Sequence, residues 1–137
     1  MAHDRHPGRV LVADDNAGLL GLAKRCLETA GFEVIDASDG EEALRLYEEH
    51  RSTIALLLTD VVMPKLNGLE LADRVLGMDP EQPILFMSGD KGCDYRGLEC
   101  VPKPFRPATL IETVNRVLYV KAQSQKTAPA ASRCVEP

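Results

Sequence analysis

The chain has 137 residues, 45% of them apolar, and its formal net charge at pH 7 is −5. This length favours one domain with a single core, and the negative charge argues against a nucleic-acid-binding surface. No apolar run approaches the roughly 18 residues that span a bilayer, and residues 1–8 lack the apolar stretch of a signal peptide. We therefore expect a cytoplasmic protein that binds neither nucleic acid nor membrane.

Apolar runs of strand length alternate with helical patterns along the chain. The predicted strands lie at 10–13, 32–37, 54–59, 84–87 and 100–101. The predicted helices lie at about 19–30, 40–50, 68–77 and from 107 onward. Gly31 is expected to end the first helix, Ser38 or Asp39 to cap the second, and Asn67 to cap the third. The pattern predicts an α/β fold with parallel strands, in which the strand at 54–59, apolar from residue 54 to residue 58, is a central strand.

Three segments depart from this alternation. Residues 89–97 contain three glycines and no apolar helical stripe. Since helices average about 11 residues and each interior Gly costs roughly 1 kcal/mol relative to Ala, we predict a loop or a single turn there. Residues 1–7 are predicted to be flexible and residues 121–137 to be a disordered tail, which leaves 8–120 as the folded domain.

Five polar residues follow four of the predicted strands: Asp14, Asp15, Asp60, Ser88 and Lys103. Ligands of open α/β sheets bind at the carboxyl ends of the strands, so these side chains should converge. Like charges about 4 Å apart repel by several kcal/mol at intermediate dielectric, and a lysine and a divalent cation would offset that repulsion. Oxygen ligands without clustered His or Cys favour Mg²⁺ or Mn²⁺.

Such a pocket suits the chemistry of an acyl phosphate, in which an aspartate is the nucleophile. Asp60 is the best candidate because it ends the central strand, and the Ser88 hydroxyl can donate to a phosphoryl oxygen. The four cysteines show no paired CxxC spacing, and we predict neither zinc nor a disulfide. They are Cys26, Cys93, Cys100 and Cys134. Cys26 lies on a predicted helix face and Cys100 in a predicted strand, so we expect these two to be buried thiols.

On these residues the chain resembles a response-regulator receiver domain of two-component signalling, from residue 8 to about 120. The matching segments read VLVADDN at 10–16, LTDVVMP at 58–64 with NG at 67–68, FMSG at 86–89 and VPKPF at 101–105. The segments at 59–64 and 86–89 are most similar to receivers attached to hybrid sensor histidine kinases. The resemblance implies a flavodoxin-like, doubly wound sheet of five parallel strands in the order 2-1-3-4-5.

The resemblance also implies roles for the pocket residues. Asp60 would accept a phosphoryl group from a phosphohistidine of a histidine kinase or phosphotransfer protein. Asp15, Asp60 and the backbone carbonyl of Val62 would bind Mg²⁺, and Asp14 would act through a water. Ser88 and Lys103 would contact the phosphoryl group. The chain would not be an enzyme beyond its own phosphorylation and dephosphorylation, and a protein partner of unknown identity would detect the change.

The resemblance also implies a cis Lys103–Pro104 peptide. The candidate residues of the output surface are Cys100, Pro104 and Phe105. Two departures from the family pattern concern this surface. Family members usually carry an aromatic residue three positions before the lysine, where this chain has Cys100. The interval from Ser88 to Lys103 is several residues shorter than usual, which predicts a shortened or missing fourth helix. The resemblance therefore does not imply that this chain has the usual aromatic switch or the usual helix-four interface.

Three alternatives stay open at this point. The chain could be the receiver portion of a larger hybrid histidine kinase. It could be a pseudo-receiver that binds partners without phosphorylation, although the acids, hydroxyl and lysine are all present. A metal-dependent phosphohydrolase would need an acid two residues after the nucleophile, and Val62 occupies that position.

Overall fold

Five parallel strands and four α-helices make up the part of the chain that the structure describes. The structure is a computed structural model that describes residues 8–89 and 97–131, with side chains as far as Tyr119. The strands are β1 (Arg9–Ala13), β2 (Glu33–Ala37), β3 (Ile54–Asp60), β4 (Ile84–Ser88) and β5 (Glu99–Pro102). The helices are α1 (Ala17–Thr29), α2 (Gly40–His50), α3 (Gly68–Met78) and α4 (Pro107–Ala131).

The strands form one sheet in the order β2-β1-β3-β4-β5. Every neighbouring pair is parallel, which confirms the predicted fold class. The central strand β3 is buried along almost its whole length, as expected for a parallel strand covered on both faces. Because all strands run the same way, their carboxyl ends lie along one edge of the sheet.

Two apolar cores cover the two faces of this sheet. The first lies between the sheet and α2 and α3, and includes Leu11, Leu57 and Phe86. The second lies between the sheet and α1 and α4, and includes Val12 and Leu58. Alternate residues of each strand enter opposite cores, since successive side chains point to opposite faces. Each fully buried apolar side chain stabilises the fold by about 1.5–3 kcal/mol, so the sheet that carries the polar edge is held from both sides.

The predicted helix ends are confirmed by their hydrogen bonds. Asp39 caps α2 by accepting from the Glu42 backbone N–H, which settles the choice between Ser38 and Asp39. Asn67 caps α3 in a reciprocal arrangement with Glu70. These caps satisfy backbone N–H groups that have no partner within the helix. They also determine where α2 and α3 begin, which is at the same edge of the sheet as the polar residues.

Helix α4 continues to Ala131, beyond the predicted domain boundary at residue 120; the disordered tail stays a prediction. One other prediction is wrong in the described residues. Cys100 is disulfide-bonded, although no disulfide was expected. Spacing along the chain carries no information on the Cα–Cα distance that permits such a bond.

Other predictions concern residues that the structure does not describe. The flexible segment 1–7, the last six residues of the tail, and the loop at 90–96 all lie outside the described residues. Strands β4 and β5 are separated by ten residues, 89–98, which is short for a crossover between parallel strands. None of the described helices combines the length and apolar character that crossing a membrane requires.

Candidate functional site

The five polar residues expected at the carboxyl edge of the sheet all occur at the ends of strands. Asp14 and Asp15 follow β1, Asp60 ends β3, Ser88 ends β4 and Lys103 follows β5. Strands β1, β3, β4 and β5 are consecutive neighbours in the sheet. Residues separated by up to 89 positions in the chain therefore meet in one pocket.

Lys103 bridges two of the carboxylates. Its Nζ lies 3.3 Å from Asp14 Oδ2 and 3.2 Å from Asp60 Oδ2. The Asp14 side chain is fully buried and the Asp60 side chain is 10% exposed. Such charge-assisted contacts are stronger than neutral hydrogen bonds, and they compensate the burial of charge that would otherwise be costly.

The three aspartates form an oxygen-rich cluster. Carboxylate oxygens of Asp14, Asp15 and Asp60 lie within 4.8 Å of one another. Asp15 is exposed, whereas the other two are buried, so the cluster opens to solvent on one side. Three carboxylates and one ammonium leave a formal charge of about −2 in the ionised state. An all-oxygen donor set with this charge fits a hard divalent cation such as Mg²⁺.

Burial raises the pKa of the Asp14 carboxyl above its ordinary value. A hydrogen bond from the Asn16 backbone N–H and the nearby Lys103 ammonium oppose this rise, while the Asp60 charge adds to it. The first of these is a 2.9 Å bond to Asp14 Oδ1. Desolvation is the largest cause, because it penalises the charged form of a carboxyl. The cluster therefore holds its negative charge at an energetic cost when no cation is bound.

Backbone hydrogen bonds set the positions of the strand ends that carry the site. The Lys103 N–H donates to the Ser88 carbonyl at 2.7 Å, and the Asp14 N–H donates to Ala37 O at 3.2 Å. The Ser88 side chain is buried. In the sheet, Ser88 pairs with Pro102, which is the residue directly before Lys103. Ser88 and Lys103 are thus held side by side at the ends of β4 and β5.

The loop between β3 and α3 follows directly after Asp60. Its Val62 side chain is 76% exposed, whereas Val61 and Met63 are buried. The Gly68 N–H donates to the Val61 carbonyl at 2.8 Å. A Cβ at Gly68 would overlap the Asp60 carbonyl oxygen, so the start of α3 approaches the Asp60 backbone more closely than any other residue type would allow.

The candidate output residues lie on and after β5. Cys100 is half-buried beside the α2 and α3 core. Phe105 is buried in the α1 and α4 core, and Pro104 is exposed. The Lys103–Pro104 peptide is cis, which confirms that part of the resemblance.

Asn16 also contributes to the site, although no role was predicted for it. Its backbone N–H binds Asp14, and its side chain caps α1 by accepting from the Leu19 N–H at 3.1 Å. An Asn directly before an amphipathic helix is a recognised helix-start signal, and that signal was available in the sequence. Asn16 thus links the orientation of the Asp14 carboxylate to the start of α1.

Comparison with known proteins gives a consistent result. The family described as the response regulator receiver domain matches residues 10–115. The transcriptional regulatory protein PrrA of Mycobacterium tuberculosis is 35% identical over 131 residues, which cover 93% of this chain and 55% of PrrA. The chain spans about half the length of the curated relatives it matches, such as PrrA and CpxR of Escherichia coli.

Solved structures of receiver domains share the fold. A response regulator receiver domain protein from Clostridium thermocellum matches with a TM-score of 0.78 at 28% identity, covering 85% of this chain and 98% of that one. The receiver domain of the hybrid histidine kinase CckA matches with a TM-score of 0.73 at 39% identity, covering 81% of this chain and 99% of that domain.

Proposed function

Because the chain belongs to the response regulator receiver domain family, we propose that Asp60 accepts a phosphoryl group from a phosphohistidine. The donor would be a histidine kinase or a histidine phosphotransfer protein. One observation carries this proposal: the carboxylate at the end of the central strand contacts a lysine and lies in a cluster with two further aspartates. That arrangement provides a nucleophile and compensating charge in one place.

The transfer is a displacement at phosphorus. An oxygen of the Asp60 carboxylate forms a bond to phosphorus while the P–N bond of the donor breaks, and the electron pair of that bond leaves with the imidazole. Charge on the transferring group is spread over its oxygens, so catalysis depends on positioning and electrostatic stabilisation. The product is an acyl phosphate on Asp60.

The acidic cluster fits Mg²⁺ or Mn²⁺ as the cofactor of this reaction. Asp15 and Asp60 would bind the ion directly together with the Val62 carbonyl, and Asp14 would contact it through a water. When bound, the cation neutralises negative charge on the phosphoryl group and on the carboxylates. Lys103 already neutralises one charge between Asp14 and Asp60.

Ser88 and Lys103 would bind the phosphoryl group once it is on Asp60. The Lys103 ammonium already lies 3.2 Å from Asp60 Oδ2. The Ser88 hydroxyl lies at the end of the neighbouring strand and can donate to a second phosphoryl oxygen. Hydrolysis of the acyl phosphate by water in the same pocket would end the signal, and we propose no other enzymatic activity.

The state of Asp60 would be detected by a protein partner in the cytoplasm rather than by nucleic acid or membrane. PrrA and CpxR carry the name of transcriptional regulatory proteins, and the matched region is about half of each. The 39% identity to the CckA receiver supports the alternative that this chain is the receiver portion of a hybrid kinase. We propose Cys100, Pro104 and Phe105 as the residues that transmit the change.

Incubation of the whole chain with Mg²⁺ and acetyl phosphate tests the proposal. An acid-stable, base-labile phosphoryl adduct is expected by intact mass, and Asp60→Asn should abolish it. Asp36→Asn is the matched control, because Asp36 is an exposed carboxylate of β2 outside the acidic cluster. Full adduct in Asp60→Asn would overturn the site, and no adduct in the unaltered chain with any phosphodonor would overturn the function.

Beryllofluoride, a phosphoryl mimic, separates this function from that of a pseudo-receiver. With Mg²⁺ present, amide resonances around Asp60, Ser88 and Lys103 should shift. An unchanged spectrum in these segments would favour phosphorylation-independent binding.

A further inference from the structure

Thr59 precedes Asp60 in the central strand, and the proposed function leaves it without a role. Its side chain is fully buried. Its neighbours across the sheet are Ala13 and Phe86, which both belong to the core beside α2 and α3. The Thr59 side chain therefore lies on that face of the sheet, beneath the loop that joins β3 to α3.

The Thr59 hydroxyl donates to the backbone carbonyl of Asp60 at 2.9 Å. The same hydroxyl lies 4.0 Å from Met63 Sδ, in the loop that follows. A buried hydroxyl or carbonyl costs free energy unless it is hydrogen-bonded, and this contact pairs one of each. Valine would suit a buried position in a strand equally well. Strand propensity and burial therefore do not explain why the residue carries a hydroxyl.

The peptide between Asp60 and Val61 is held from several directions. Its carbonyl accepts from Thr59 and is the atom that a Cβ at Gly68 would overlap. Its N–H, that of Val61, donates to Met87 O at 3.2 Å. Rotation of this peptide would change the direction in which the chain leaves Asp60 and enters the loop that carries Val62. A hydroxyl bonded to the carbonyl resists that rotation.

We propose that Thr59 is a positioning residue for phosphorylation, which acts through the Asp60 carbonyl and touches neither the cation nor the phosphoryl group. This inference rests on the proposed function of Asp60. It assigns to Thr59 the task of keeping the Asp60–Val61 peptide in the orientation that brings the Val62 carbonyl to the pocket of the Asp60 carboxylate.

Thr59→Val tests the proposal, since valine keeps the shape and the strand propensity and removes the donor. Phosphorylation by acetyl phosphate should slow by about three- to tenfold, the size expected for one hydrogen bond, and the Mg²⁺ concentration for half-maximal rate should rise. Thr113→Val is the matched control. Thr113 is also buried, and its hydroxyl donates to a backbone carbonyl, Thr109 O, at 2.8 Å within α4; it should lose stability with unchanged phosphorylation kinetics.

A measurement on the metal-free protein separates positioning from a general loss of stability. Hydrogen exchange at the Val61 and Gly68 amides should accelerate in Thr59→Val beyond the change in global stability. In Thr113→Val these two amides should follow the global stability alone. Equal behaviour of the two variants would overturn the proposal.

Thr59→Ser provides the rescue, because serine restores the hydroxyl and removes only the methyl group. Its phosphorylation rate and Mg²⁺ dependence should be close to those of the unaltered chain despite lower stability. Thr59→Ala replaces the valine variant if that variant does not fold. Normal phosphorylation of the valine or alanine variant would overturn the role of Thr59. A serine variant as slow as the variants without the hydroxyl would overturn it too. In either case, phosphorylation of the unaltered chain would still support the function of Asp60.

Discussion

At the scale of single residues, Asp14 and Asp15 are adjacent in sequence but have different environments. Asp14 is fully buried beside Lys103, whereas Asp15 is exposed. Burial raises the pKa of Asp14, while Lys103 and the Asn16 N–H favour its charged form. Since Lys103 also contacts Asp60, one ammonium serves two carboxylates. Without a metal ion, the pocket therefore carries more negative charge than Lys103 neutralises, and this excess favours the binding of a cation.

Asp14→Asn should therefore stabilise the metal-free protein at neutral pH, by on the order of 1 kcal/mol. A carboxyl whose pKa is raised by folding binds its proton more tightly in the native state, so the wild-type stability falls as pH rises from the unfolded-state pKa to the native one. The advantage of the variant should be present above the native pKa and vanish below about pH 4, where Asp14 is protonated in both states.

Urea unfolding of both proteins between pH 3 and pH 7, without divalent cations, measures this difference. The same variant should need more Mg²⁺ for phosphorylation, because it has lost one charge of the cluster. A variant that is less stable at pH 7 would show that the Lys103 contact outweighs the burial of charge.

At the scale of elements, α3 depends on a glycine at its first position. Gly68 has no Cβ, and a Cβ would overlap the Asp60 carbonyl oxygen. Gly77, near the other end of the same helix, has open space around the position of its missing Cβ. Two glycines of one helix therefore have opposite meanings. Gly68 permits the close approach of α3 to the pocket, and Gly77 only lowers helix propensity.

The two glycines predict opposite effects of the same substitution. Gly68→Ala should destabilise by about 2–3 kcal/mol or more through steric overlap and should impair phosphorylation by displacing Asp60. Gly77→Ala should stabilise by roughly 0.5–1 kcal/mol with unchanged phosphorylation. Thermal unfolding and phosphorylation by acetyl phosphate measure both. Normal phosphorylation of Gly68→Ala would contradict a tight packing of α3 on Asp60.

At the scale of the whole molecule, two helical layers hold one sheet, and α4 belongs to the layer that also contains α1. The α4 side chains Leu110 and Val114 are fully buried, and Val117 and Leu118 pack against the same core. Tyr119 is 64% exposed. The family match ends at residue 115. Among the α4 side chains that the structure describes, which end at Tyr119, those that reach the core lie between Leu110 and Leu118.

Removal of residues 121–137 should leave the receiver folded and phosphorylated at the rate of the whole chain. This prediction tests the proposed domain boundary at residue 120. The free energy of unfolding should change by less than about 1 kcal/mol, as for changes away from the core. Circular dichroism, urea unfolding and phosphorylation by acetyl phosphate measure the outcome. A strong loss of stability would show that the second half of α4 contributes to the core.

The sequence by itself determined the order of strands and helices, the helix cap at Asn67, and the set of polar residues at the strand ends. Hydrophobic periodicity and capping are local properties, which are readable within about 10–18 residues. The carboxyl ends of parallel strands share one edge, so the sequence alone could predict that Asp14, Asp60 and Lys103 lie close together.

Only the tertiary structure decided the features that depend on distances between remote residues. These include the sharing of Lys103 by Asp14 and Asp60, the burial of Asp14 but not Asp15, and the disulfide at Cys100. The hydrogen bond from the Thr59 hydroxyl to the Asp60 carbonyl joins adjacent residues, yet its direction is set by packing beneath the following loop. Burial and charge pairing are properties of the assembled layers, and no segment of the chain contains them by itself.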